Sequence, residues 1–165
     1  EVVEQKMRDV WRKSLEIAGV SYALCRSYTQ LKPDQAALGG LVHQIGVLPI
    51  LTYAEDHYEL LSDPVSLNHV IDHIHPLIGD KLLRVWEFPE MLVQLPGLYL
   101  DFERQSQRID YVDLVQVASL YCHKGTDHPL ARIDAFSVPA FKKLGIDPEN
   151  ESMCRDLEES RSMFY

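Results

Sequence analysis

The spacing of apolar residues near the N-terminus constrains this chain most. Met7, Val10, Trp11, Leu15, Ala18, Tyr22 and Cys25 recur at steps of three and four, the repeat of one helix face and not the alternation of a strand. The pattern predicts an amphipathic helix over residues 3–29. The same periodicity governs nearly all of the remaining chain, and no run reads as a strand. The sequence therefore predicts an all-α chain.

Prolines and glycines punctuate the helices. Pro33 suits the first turn of a second helix, where its missing N–H costs nothing. That helix runs through Leu38, Leu41, Val42, Ile45 and Leu48, with Gly39, Gly40 and Gly46 inside it. Each glycine costs on the order of 1 kcal/mol relative to alanine, so three together argue for close backbone packing or a functional approach. A short helix is expected over residues 53–61, then one near 66–72 capped by Ser66 or Asn68. Pro76 should break it at residues 72–75 and open a new helix over 76–85. Another starts at Phe88-Pro89-Glu90 and is disturbed by Leu95-Pro96-Gly97. Residues 111–121 form a helix, 123–134 a polar loop, and 138–144 a short helix that Gly145 caps. Residues 146–165 read as a charged tail, helical or frayed. Trp11 and Trp86 are expected to anchor the core, and Tyr53, Tyr58, Tyr99, Tyr111 and Tyr121 to pack amphipathically.

A length of 165 residues suits one domain with a sizeable core. With 46% hydrophobic and 25% charged residues, disorder is excluded on composition. A net charge of -9 with scattered basic residues argues against a nucleic-acid partner. Cys25, Cys122 and Cys154 form no C-x-x-C pair, which speaks against a zinc ribbon or thioredoxin-like site and suits a reducing cytosol. Cys25, on an apolar face, reads as core and not as a nucleophile. No apolar run reaches the roughly 18 residues of a membrane helix, so a cytoplasmic location without membrane contact is expected.

Three motifs succeed one another in order: Trp11-x-x-Ser14, then Gly39-Gly40-Leu41-Val42-His43-Gln44-Ile45-Gly46, then His75-x-x-x-Gly79-x-x-Leu82-Leu83-x-x-Trp86-x-x-Pro89. Asp113-Leu114-Val115-x-Val117-Ala118-Ser119 continues the series. Together, over about residues 7–145, they resemble the HDOD branch of the HD superfamily. The resemblance implies a compact HD-domain-like bundle of about seven to eight helices. In active HD enzymes, histidines and aspartates hold one or two divalent metals that activate water against phosphate esters. Carried over by position, His43 and His75 match the motif histidines. Gln44 stands where a metal-ligating aspartate belongs, and a neutral amide removes the charge that would hold the ion. Ser119 stands in place of the last aspartate, and the histidines expected near residues 95–99 are absent. These four residues, His43, Gln44, His75 and Ser119, read as vestigial site positions, with no catalytic residue, metal or cofactor expected.

The plainest reading of His43 and Gln44 is structural, as buried polar groups bonded to neighbours. His69, Asp72, His73 and His75 form a second run, with His69 and His73 one turn apart, but no third well-spaced ligand joins them. His57, His123 and His128 show no triad-like arrangement. The acidic stretch 149–159 reads as a solvated helix face.

The resemblance implies a non-catalytic signal-transduction domain that acts as a regulatory scaffold, with signalling proteins or adjacent domains as partners. Two other readings stand beside it. One is a metal-dependent phosphohydrolase with an altered ligand set, using His43, His75 and carboxylates such as Asp72 or Asp113. The other is a small-molecule sensor that binds a nucleotide without chemistry. The family domain usually carries helices ahead of W-x-x-S, so an apolar face covered by self-association or a partner is also expected.

Overall fold

The first helix, α1 (Val2–Tyr28), has 27 residues and is about 40 Å long at the α-helical rise. Its inner face is built from small side chains: Ser14, Ala18, Gly19 and Ser21 are buried beside Ile17, Leu24 and Cys25. This lets α2 (Pro33–Val42) approach to backbone contact. A Cβ added to Gly40 would lie 2.7 Å from the Cα of Ala18, and one on Gly39 would lie 2.7 Å from a Leu95 methyl carbon. The glycines expected to serve close packing do so.

The computed structural model describes residues 1–165 and contains no strand. After α2 the chain turns at residues 43–46 and continues as α3 (Val47–Glu55), α4 (Tyr58–Leu61), α5 (Pro64–Val85), α6 (Glu90–Val93) and α7 (Leu95–Leu98). Then come α8 (Tyr111–His123), two 3-10 turns at Pro129–Arg132 and Ala135–Ser137, α9 (Pro139–Leu144) and α10 (Glu151–Ser160). Seven of these helices have six residues or more, and the rest are single turns. Gly145 ends α9 in the left-handed region, at φ 71, where a glycine meets no steric penalty.

The main core gathers around α8, where every residue except Tyr121 is buried. Ile17, Val20 and Leu24 from α1 pack against it with Leu92, Leu95, Phe141, Leu144, Met153 and Leu157. A smaller cluster of Val3, Val47 and Leu51 ties the start of α1 to α3.

Several expectations are corrected. Helix α5 runs through Pro76 without a break and is capped by Asp63, whose carboxylate accepts from Ser66 N. Asp72, whose carbonyl loses its donor to the proline, lies on the exposed side of the helix. Gly46 belongs to the turn after α2, where a Cβ would sit 2.1 Å from the His75 carbonyl oxygen. That close approach braces α5 one residue before its proline. Trp11 and Trp86 are 47% and 52% exposed and anchor no core. The stretch Pro33–Glu55 is long and apolar enough on average to cross a membrane, contrary to the expectation. It folds as two helices with half of that window buried. The charged tail takes the helical form of the two expected, but it is not wholly solvated. Met153, Leu157 and Ser160 of α10 are buried, and Gly19 of α1 lets the Ser160 carbonyl come within 2.1 Å of its Cβ position.

Candidate functional site

The end of α2 carries His43 into the interior. It is 1% exposed, and its Nδ1 donates to the Gly40 carbonyl at 2.6 Å. A carbonyl only accepts, so this bond fixes the proton on Nδ1. Burial, reinforced by His75 nearby, drives the His43 pKa down to about 4. The imidazole is neutral at neutral pH.

His75 reaches the same region from the middle of α5. It is buried, its Nδ1 has no hydrogen-bond partner, and burial lowers its pKa to about 4, against the pull of Asp72. Tyr99, just past α7, packs against both histidines. Its ring meets His43 edge-on at 4.8 Å and His75 at 6.1 Å. Gln44 Nε2 donates to the Tyr99 hydroxyl at 3.1 Å. Burial raises the phenol pKa, so the ring stays uncharged. The stretch expected to lack histidines thus contributes a buried phenol to the pair.

Helices α2 and α8 run alongside each other in the same direction. The Lys32 N–H donates to the Tyr111 hydroxyl, and a Cβ on Gly39 would meet Val115. Continuing that register carries Ser119, and then His123 one turn later, towards the His43 end. Ser119 is buried and its hydroxyl has no partner. His123 is 8% exposed and stacks on His128 at 3.9 Å. Burial lowers the His123 pKa to about 3, with His128, Lys13 and His43 adding to the effect. Sequence reasoning passed over His123 as part of a loop. Its place four residues after Ser119 on an apolar helix was the available signal.

The other candidates lie elsewhere. His69 and His73 face solvent with their rings 4.1 Å apart and tilted, and His73 Nδ1 donates to the His69 carbonyl at 2.9 Å. His75 is turned inward, so the run 69–75 does not converge. His57 donates to the Tyr53 carbonyl and stacks on that ring. Asp113 is taken up at the opposite end of α8. There it forms a capping box with Asp110 and pairs with Arg104 at 3.3 Å and Lys143 at 2.6 Å.

No group of three histidine, cysteine, aspartate or glutamate side chains is placed to hold a metal ion. A catalytic divalent metal commonly takes three protein ligands. The Gly40 bond leaves the His43 Nε2 lone pair free, but the Gln44 amide is bonded to the Tyr99 phenol and no carboxylate joins the two imidazoles. The donor set does not fit a metal, although the orphaned His75 Nδ1 and Ser119 hydroxyl leave two buried polar atoms without partners.

Comparison with known proteins agrees with this geometry at the level of family. The HDOD domain family matches residues 2–96, a span that holds His43, Gln44 and His75 but not Tyr99, Ser119 or His123. A crystal structure from Shewanella amazonensis SB2B, provisionally named a metal-dependent phosphohydrolase, superposes with a TM-score of 0.78 at 25% identity. The alignment covers 98% of this chain and 60% of that one, so the chain spans well under two thirds of that protein's length. A search of curated proteins finds no match. With the family matched over more than half its length and the helical fold shared nearly end to end, the chain belongs to the HDOD domain family.

Proposed function

We propose that this chain is a non-catalytic signal-transduction module that presents a helical surface to signalling proteins or to adjacent domains in the cytoplasm. The observation that carries this reading is the packing of Tyr99 against His43 and His75, with Gln44 bonded to its hydroxyl. The residues that hold metal in active relatives are here engaged with one another and with the backbone. The site is a neutral polar core, and Gln44 and Ser119 supply no charge to retain a cation. For contact with a partner the chain offers an apolar stripe on α5, where Ile74, Leu77 and Val85 are 39%, 62% and 75% exposed, with Trp86 just beyond. A second copy of the chain is among the partners that such a stripe could take.

The name of the Shewanella relative favours the alternative of a phosphohydrolase with an altered ligand set. The unpartnered His75 Nδ1 and Ser119 hydroxyl favour a nucleotide sensor. One experiment separates the three: titration of the purified chain with Mn²⁺ and Zn²⁺, run beside a phosphodiester turnover assay and a nucleotide melting screen. The scaffold reading expects no metal affinity tighter than about millimolar, no turnover and no melting shift. Stoichiometric metal that is lost in His43→Ala or His75→Ala would overturn it in favour of the enzyme. A nucleotide-dependent melting shift without turnover would overturn it in favour of the sensor.

A further inference from the structure

Away from the histidines, a hollow opens on the far side of α8. Protein interiors leave few voids larger than a water molecule, yet this one measures about 150 Å³. Eleven of its 13 lining residues are hydrophobic. Val117 and Leu120 come from α8, Leu130 and Ala131 from the first 3-10 turn, and Met153 and Leu157 from α10. The segment that the sequence presents as a polar loop therefore sends an apolar row inward to roof a cavity.

The cavity's chemistry says what can enter. None of the chain's buried unpartnered polar atoms lies in its lining, so water would find few partners there. A hollow of this size lined by aliphatic and aromatic side chains has room for a benzene-sized molecule. Tyr121 presents only its ring, because its hydroxyl donates to the Cys154 carbonyl and lies 2.9 Å from Glu158. The one charged lining residue is Lys124, and it takes part in none of the chain's salt bridges. A hydrated ammonium at the edge of an apolar chamber is suited to the head of an amphipathic anion.

We propose that this cavity binds a small apolar carboxylate, a single ring or short branched chain whose body fills the space between α8 and α10 and whose anionic group pairs with Lys124. The site is separate from the His43 cluster and does not depend on the reading of that cluster.

The test is a methyl-detected NMR titration of the whole chain with toluene and with benzoate. Both probes should shift the methyl signals of Val117, Leu120, Leu130 and Leu157, and benzoate should bind severalfold more tightly than toluene. Lys124→Ala should erase that advantage. Ala131→Leu, which fills the chamber from its roof, should weaken both probes by at least about tenfold while the melting temperature holds. Cys154 gives a readout that needs no filled variant. It is the one thiol that is not buried, it lines the chamber, and benzoate should slow its alkylation in the wild-type chain. The proposal is overturned if neither probe shifts these methyls up to its solubility limit, if Ala131→Leu binds as the wild type does, or if Cys154 reacts equally fast with and without benzoate. Benzoate binding no tighter than toluene, or an advantage that survives Lys124→Ala, overturns the carboxylate assignment.

Discussion

At its N-terminal end α8 buries charge. Asp113 is 1% exposed, yet it accepts from the Asp110 N–H and pairs with Arg104 and Lys143, while Asp110 returns the capping bond and takes two hydrogen bonds from Arg104. The two carboxylates share these cations unequally. Burial works against both, but Arg104 brings Asp110 below its usual pKa, whereas burial and the Asp110 charge raise Asp113. Two to three turns later the same helix buries only neutral groups, Ser119 and, towards His43, His123, and the Ser119 hydroxyl is left unsatisfied. The charged end has almost every polar atom paired, as a structural anchor requires. The neutral end holds buried polar groups and no charge.

Acid should separate the two ends, and this is the largest effect expected. His43, His75 and His123 have folded pKa values of about 4, 4 and 3, below the roughly 6.5 of a free imidazole. Depressed values mean that the unfolded chain binds more protons between these limits. Stability is therefore complete above about pH 6.5 and falls as the pH drops through about 4. His43 and His75 each stand to withdraw on the order of 3 kcal/mol, and His123 less once solvent screening is allowed for. Three of them exceed much of a domain's total of about 5–15 kcal/mol, so the chain should unfold before they titrate fully. The groups facing them agree in sign except the Gly40 carbonyl at His43, Asp72 at His75 and Glu16 at His123, which pull upward. Urea denaturation at steps from pH 7.5 to 4.5 checks this. A midpoint that stays flat until the carboxylates titrate would show that water reaches these imidazoles in the fold.

The charged end should fail differently. Asp113→Ala leaves Arg104 its two bonds to Asp110 but strips Lys143, with a side chain 16% exposed, of its only carboxylate. Breaking a buried pair from one side costs about 3–5 kcal/mol, and the capping box is lost with it. The cost should read as a lowered urea midpoint at pH 7. A loss below about 1 kcal/mol would mean that Lys143 swings out to solvent, and that the contrast between the ends is weaker than the geometry implies.

How much of this contrast is legible in the sequence depends on the range of the forces involved. The course of α1, the start of α2 at Pro33, α8 and the Gly145 cap are local matters of period and backbone, and they read correctly. Pro76 misleads because its cost is local while its compensation is not. Gly46, thirty positions earlier, packs on the His75 carbonyl and helps hold α5 straight. The tryptophans mislead for a related reason. Periodicity places Trp11 near an apolar stripe, but the face that α2 actually meets is the small one, Ser14, Ala18 and Ser21. At the site, the resemblance to the HDOD family points to His43, Gln44, His75 and Ser119. Tyr99 is visible as an aromatic, and so is the nearby lack of histidines, but nothing in the spacing joins the two facts. The salt-bridge network of Asp113 is equally invisible, since Arg104 and Lys143 reach it from separate segments.

The finest test of the neutral end is Tyr99→Phe. The ring stays, so its packing on both histidines is kept, and only the hydroxyl that accepts from Gln44 Nε2 goes. Gln44 is half-buried, so its amide can recover part of its hydration, and the cost should be about 1 kcal/mol, that of one net hydrogen bond. The pH profile should keep the wild-type shape, because burial by the ring, not the hydroxyl, is what holds His43 and His75 neutral. A Tyr99→Ala control should behave otherwise, opening the pair to water and moving the acid limb of the profile to lower pH. If Tyr99→Phe alone moved that limb, the hydroxyl would be tied to the protonation of the histidines, and the cluster would be a proton-linked network instead of a packed remnant. Measured together, the two variants decide whether the neutral end of α8 holds its histidines by shape or by chemistry.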